Sequence, residues 1–183
     1  MTKNLDVTTY RNGDPIPQVR DQQEWQSFTT GAWCWYLNDS ASYNSIYGKL
    51  YNWYAVNDSR GLAPLGWHVP SDEEWTTLAN CLGGESVAGG KMKEAGTSHW
   101  LTPNGNATNE SGFTALPGDA RFTLSTDGWA PNLLGDWGNW WSSTENVTTY
   151  AFCRQLNWYS GNLYKEVTGQ LKSDGFSVRC VRD

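Results

Sequence analysis

The sequence predicts an α+β fold, and three observations carry that expectation. Residues 71–82 join a helix cap to apolar residues at helical spacing. The last third of the chain alternates with the period of a strand. The stretch between is loop-rich yet crowded with aromatic side chains. The 183 residues include 12 Trp, 9 Tyr and 19 Gly. A chain of this length buries roughly 70% of its unfolded surface. It is therefore expected to form a single domain, 1–183, needing neither metal nor disulfide to fold. No linker, charge block or internal repeat divides it.

Taken in order, the N-terminal stretch to about Ser45 reads as short strands and loops, with Thr8-Thr9-Tyr10 running into the turn residues Asn12-Gly13-Asp14-Pro15. Residues 46–57 fit two patterns. Ile46, Leu50, Trp53 and Tyr54 share a helical face, whereas Tyr51, Trp53 and Ala55 share a strand face; helix is preferred. At 71–82, Ser71 and Glu74 form a capping box in which each side chain satisfies the other's free backbone N–H. Trp75, Leu78, Ala79 and Leu82 follow at i, i+3, i+4 and i+7, and Gly83 supplies the stop. The acidic run Asp72-Glu73-Glu74 suits a helix N-terminus, where the macrodipole favours negative charge.

Residues 83–138 read mostly as loop with apolar islands such as Phe113-Thr114-Ala115-Leu116. A compact chain tolerates so much loop only where Trp and Tyr side chains pin it. Residues 140–143 and 150–159 read as strands, Ser160-Gly161-Asn162 as a hairpin turn and 163–167 as the return strand. The closing 176–181 alternates, placing Phe176, Val178 and Cys180 on one face.

Composition excludes several function classes. The net charge is −6 and no basic run exists, so nucleic acid and anionic lipid are not expected partners. Mean hydropathy is −0.62, and no segment approaches the ~20 apolar residues of a spanning helix, so no membrane insertion is expected. Disorder is excluded by the aromatic content. Met1-Thr2-Lys3-Asn4-Leu5-Asp6-Val7 lacks the apolar h-region of a signal peptide; either export by that route does not occur or further sequence precedes it. Cys34, Cys81, Cys153 and Cys180 form no CxxC. Their even number allows zero, one or two disulfides, and buried thiols fit equally well.

Catalytic constellations are sparse. His68 and His99 stand in no paired spacing, and His68, between Trp67 and Val69, is expected to be structural. GxSxG, Walker and GxGxxG motifs are absent. No enzyme activity and no cofactor are expected. Sequons at Asn38, Asn57, Asn106, Asn109 and Asn146 are what a chain rich in Asn and Thr produces by chance. The window 148–165 is more telling: Tyr and Trp alternate with Ser, Gly and Asn, the composition of paratopes and interface hot spots. An ordinary hairpin with aromatics stacked across its strands has the same composition.

A run of motifs carries a family resemblance: Gly48-Lys49-Leu50-Tyr51-Asn52-Trp53-Tyr54-Ala55-Val56, Gly66-Trp67-His68-Val69-Pro70-Ser71-Asp72-Glu73-Glu74-Trp75, Gly89-Gly90-Lys91-Met92-Lys93-Glu94, Asn109-Glu110-Ser111-Gly112-Phe113-Thr114-Ala115-Leu116-Pro117-Gly118, Trp140-Trp141-Ser142-Ser143-Thr144-Glu145 and Gly175-Phe176-Ser177-Val178-Arg179-Cys180-Val181-Arg182-Asp183. In order and over nearly the whole chain, it resembles the Fibrobacter succinogenes major paralogous domain. The resemblance implies a C-type-lectin-like fold of the formylglycine-generating-enzyme branch, with two helices, small twisted antiparallel sheets and long Trp-rich loops. It also implies a cell-surface, secreted or phage-virion module.

Three analogies follow from that fold. The copper oxidases of the branch hold the metal with a cysteine pair five residues apart, but Thr148 and Trp158 stand at those offsets from Cys153, so oxidase chemistry is not expected. Calcium-dependent lectins use EPN or QPD loops with a WND strand. Here only Thr102-Pro103-Asn104 and Ala130-Pro131-Asn132 come near, both without the acidic first position.

The third analogy, the variable proteins of diversity-generating retroelements, fits better. Adenine-directed mutagenesis of Asn codons yields residues such as Tyr, Ser, Thr, Phe and Cys but not Trp, Lys, Glu or Gln. Thr148, Thr149, Tyr150, Phe152, Cys153, Asn157, Tyr159, Ser160, Asn162 and Tyr164 belong to the permitted set; Trp158, Lys165 and Glu166 do not. Cys153, amid aromatics, reads as a product of that origin rather than as a structural residue. Many family members carry a cysteine where this chain has Ala63-Pro64-Leu65, which leaves Cys180 to pair elsewhere, Cys34 being one choice, or to stay free. The expected function is a monomeric, non-enzymatic binder of a protein or glycan through a region of about 140–166. Its candidate ligand-binding residues are Trp140 and Trp158 together with the ten permitted positions. A fixed carbohydrate-binding or adhesion module is the alternative.

Overall fold

The computed structural model describes residues 1–129 and 134–183. In chain order these hold α1 (Gln22–Ser27), β1 (Trp33–Cys34), α2 (Ser40–Tyr47), β2 (Leu50–Tyr51), α3 (Trp53–Val56), β3 (Trp67–His68), α4 (Asp72–Cys81), α5 (Glu85–Met92), β4 (Trp137–Val147), β5 (Tyr150–Asn157), β6 (Tyr164–Lys165), β7 (Gln170–Leu171) and β8 (Val181–Arg182). The architecture is mixed α+β with small antiparallel sheets: β1 pairs β2, β3 pairs β8, and β5 lies centrally against β4, β6 and β7.

The helix at α4 forms as its sequence dictates. Glu74 N donates to Ser71 Oγ at 3.2 Å and Ser71 N to the Glu74 carboxylate at 2.8 Å. Trp75 and Ala79 are buried, with Leu78 and Leu82 packed alongside. The sequence leads to two helices, whereas the described residues hold five α-helical segments. α1 and α2, in a stretch read as strand and loop, are short and rich in Gln, Ser and Asn. Each is started by an aspartate cap: Asp21 accepts from Glu24 N, and Asp39 from Ala41 N and Ser42 N.

Residues 46–57 take up both alternatives in turn. Gly48, at φ 74°, ends α2; Leu50–Tyr51 then pair with β1, and the buried Asn52 caps one helical turn through Ala55 N. α5 falls in a stretch read as loop because Gly89-Gly90 argues against helix, at about 1 kcal/mol per glycine. Packing requires both glycines, since a Cβ at Gly89 would fall on the Asn162 carbonyl and one at Gly90 on the Asn106 carbonyl.

The first turn closes as expected, with Tyr10 N donating to Asp14 O and Thr9 bridging Pro15. β4 begins earlier and runs longer than 140–143, with register shifts between Trp141 and Val147. The hairpin after β5 exists, but its loop is 158–163 and its return strand shrinks to Tyr164–Lys165. Along 176–181, Phe176, Val178 and Cys180 are buried as alternation predicts, yet Ser177 and Arg179 are buried too. This segment is covered on both sides: Ser177 N bonds Asn139 O, while Arg179 donates to Asn4 Oδ1 and Phe113 O.

Successive residues of β4 and β5 serve different cores. Trp141, Ala151 and Cys153 join one with Tyr51, Trp53, Phe176 and Val178, while Trp140 and Leu156 join another with Trp75, Met92 and Trp100. A third gathers Trp25, Cys34, Tyr36 and Leu50. Indole N–H groups pin the loops: Trp25 to Ser173 O, Trp33 to Ile16 O, Trp53 to Ser142 O, Trp100 to Ala115 O and Trp141 to Tyr51 O, at 2.7–2.9 Å. All four cysteines are free thiols. Cys34 and Cys180 sit in different cores, so the pairing between them does not form.

Candidate functional site

β5 divides eight of the twelve candidate residues between its two ends. Tyr150 opens it and Asn157 closes it, a span of roughly 23 Å at strand rise. At the first end the turn residues Thr148 and Thr149 and the ring of Tyr150 are exposed. At the far end Trp158, Tyr159, Ser160, Asn162 and Tyr164 come together. Phe152, half-buried between them, has the Lys165 ammonium 4.3 Å from its ring centre.

Three candidates contribute to the interior instead. Trp140 is fully buried and donates through its indole to Asn4 Oδ1. Cys153 stands opposite Trp141 in the register and is wholly enclosed, so it has a packing purpose that the sequence did not reveal. Burial pushes its thiol pKa upward. Asn157 is buried at the end of β5, where its Oδ1 accepts from Ser160 N at 3.0 Å.

The far end adds a residue that the sequence reading missed. Trp137 pairs with Asn157 across the ladder, and its ring lies 6.5 Å from that of Tyr159 and 6.2 Å from that of Tyr164, with Trp158 5.7 Å from Tyr159. Extending the β4 strand by three residues would have placed it there. Polar groups are interleaved with the rings. The Tyr164 hydroxyl meets Ser160 Oγ at 2.9 Å and Asn162 Nδ2 at 3.3 Å, and Gln155 donates to Asn139 Oδ1. The hydrogen bond with Ser160 is the main cause lowering the Tyr164 pKa, whereas desolvation raises that of Tyr159. Burial also raises the pKa of neighbouring Asp136.

Among the described residues no group of three or more His, Cys, Asp or Glu side chains is placed to hold a metal. Asn104 is buried and donates to Glu94 O; Ala130-Pro131-Asn132 lies outside the described residues. His68 is clamped between carboxylates, Nδ1 at 2.7 Å from Asp183 and Nε2 at 2.8 Å from Glu74. A cleft of about 390 Å³, lined by Trp67, Trp75, Leu78, Phe113 and Cys180, includes none of the twelve candidate residues.

The family model described as the Fibrobacter succinogenes major domain matches residues 1–182. The chain belongs to that family. No curated protein and no solved structure matches it. In this member of the Fibrobacter succinogenes major domain family, the far end of β5 thus presents aromatic faces beside hydroxyl and amide groups. Such an arrangement can stack on, and hydrogen-bond to, a ligand.

Proposed function

We propose that this chain is a non-enzymatic ligand-binding module of C-type-lectin-like architecture, displayed at a cell surface, secreted or carried on a phage virion. It takes a protein or glycan through the far-end face of the β4–β5–β6 sheet. The observation that carries this reading is the grouping of Trp137, Trp158, Tyr159 and Tyr164 around Ser160 and Asn162, with Tyr159 54% exposed. Rigid aromatics with adaptable polar neighbours are what binding faces use.

The same reading makes the chain a candidate variable protein of a diversity-generating retroelement. Sequencing its gene across a natural population, with the adjacent DNA, tests this. Substitutions at adenines in codons 148–164, beside a reverse transcriptase and a near-copy template, are expected. They should fall on outward positions such as Tyr150, Tyr159 and Tyr164 and spare Cys153 and Asn157, because a random residue at a buried position costs about 2–5 kcal/mol. A uniform gene without such a neighbour overturns diversification.

A fixed carbohydrate-binding module is the second reading, favoured by the hydroxyl and amide groups beside the Tyr164 ring. A glycan array separates the two: sugar stacking predicts one shared glycan class, and a diversified face predicts none. On either reading Tyr159→Ala with Tyr164→Ala should remove binding to whatever the array or a displayed-protein panel captures, while the unfolding temperature barely moves. Retained binding would refute the face.

A further inference from the structure

The loop that carries the candidate face is held from beneath by a buried cation. Lys93, the residue that closes α5, is 0% exposed. Its ammonium donates to three backbone carbonyls, Ser160 O at 2.8 Å, Gly105 O at 2.9 Å and Asn157 O at 3.0 Å. They come from two pieces of chain: Asn157 and Ser160 at the end of β5 and in the loop directly after it, and Gly105 in the loop following Leu101. The ammonium also lies 5.4 Å from the Trp100 ring centre. Three N–H donors meet three acceptors, and carbonyls rather than a carboxylate compensate the charge. Burial lowers the pKa to about 8, which leaves the group protonated at neutral pH.

Three carbonyl oxygens converging on one point repel one another unless a cation stands between them, and a buried carbonyl without a partner is costly. Ser160 and Asn157 flank Trp158 and Tyr159 in the chain, and Gly105 N in turn donates to Trp158 O. We propose that Lys93 is the positioning residue of the candidate face: its ammonium draws the three carbonyls together and so sets where Trp158, Tyr159 and Ser160 stand. The role is that of a loop-organising ion supplied by the chain itself. That this loop meets a ligand rests on the function proposed above; the positioning role is tested without any ligand, so the two can fail separately.

Hydrogen–deuterium exchange on the full chain reads the loop directly. In Lys93→Ala, peptides covering 101–109 and 158–163 should exchange about tenfold faster, as losing charge-assisted hydrogen bonds implies, while 141–153 stays unchanged. n-Propylammonium, which restores the missing methylenes and the charge, should return protection to both loops. n-Propanol, of matching size and uncharged, should not. If Lys93→Ala does not fold, recovery of the fold by n-propylammonium but not by n-propanol supports the same assignment. Unchanged exchange, equal loss of protection across the chain, equal rescue by both additives or rescue by neither overturns it.

Discussion

Asp72 is the hinge of an asymmetric charge arrangement, and its removal should be far more damaging than its place near the surface suggests. Its carboxylate meets two cations, Arg154 Nη1 at 2.7 Å and Lys165 Nζ at 2.6 Å. The Arg154 side chain is fully buried, whereas that of Lys165 keeps about a third of its surface. In Asp72→Ala the guanidinium retains Thr76 Oγ1 at 3.0 Å and the residue-72 carbonyl at 3.3 Å but loses its counter-charge. Breaking a buried pair costs about 3–5 kcal/mol, and the surviving acceptors place this site at about 3 kcal/mol. For a chain of this size each kcal/mol lowers the midpoint by about 2–4 °C, so a fall of roughly 6–12 °C is expected in thermal unfolding followed by circular dichroism. Lys165→Met, which removes only the more exposed partner, should cost less than about 1 kcal/mol. Asp72→Ala combined with Arg154→Met should recover part of the loss, because no charge then remains buried and unpaired. Equal costs for Asp72→Ala and Lys165→Met, or a double variant no better than Asp72→Ala, would refute the reasoning.

Gly89→Ala should destabilise the fold by about 1–3 kcal/mol in chemical denaturation, although helix propensity alone favours the change, because the new Cβ meets the Asn162 carbonyl. Stability should fall as pH rises from about 4 to 7. Burial raises the Asp119 pKa to about 7 and the Asp174 pKa to about 6 from an ordinary 3.8, so in that window the folded chain binds more protons than the unfolded one. Unfolding midpoints across that range, with Asp119→Asn giving a flatter profile, check it. Among the cysteines, Cys81 is exposed while Cys34, Cys153 and Cys180 are buried. A thiol reagent should therefore modify one residue rapidly under native conditions and all four after denaturation.

How much was legible in advance varied with how local the cause was. The α4 cap and stripe depend on residues within one helix, and the structure reproduces them. The clustering of Trp158, Tyr159, Ser160, Asn162 and Tyr164 was also accessible, since a short loop keeps them together. Trp137 was not, because only the β4–β5 register brings it opposite Asn157. The burial of Cys153 and Trp140 was hidden for a related reason: a strand covered on both faces shows no alternation between core and solvent.

Taken alone, the sequence determined the α+β class, the strong helix, the approximate strand region and the aromatic, amide-rich character of the C-terminal face. These follow from spacing and composition, which act over a few residues. Tertiary structure alone decided that Gly89-Gly90 lies in a helix, that Asp72 answers to a buried arginine, and that Lys93 gathers three carbonyls from two separate stretches. Each of those depends on groups far apart in the chain, and the cost of burying a charge or a carbonyl is set by what the fold brings beside it.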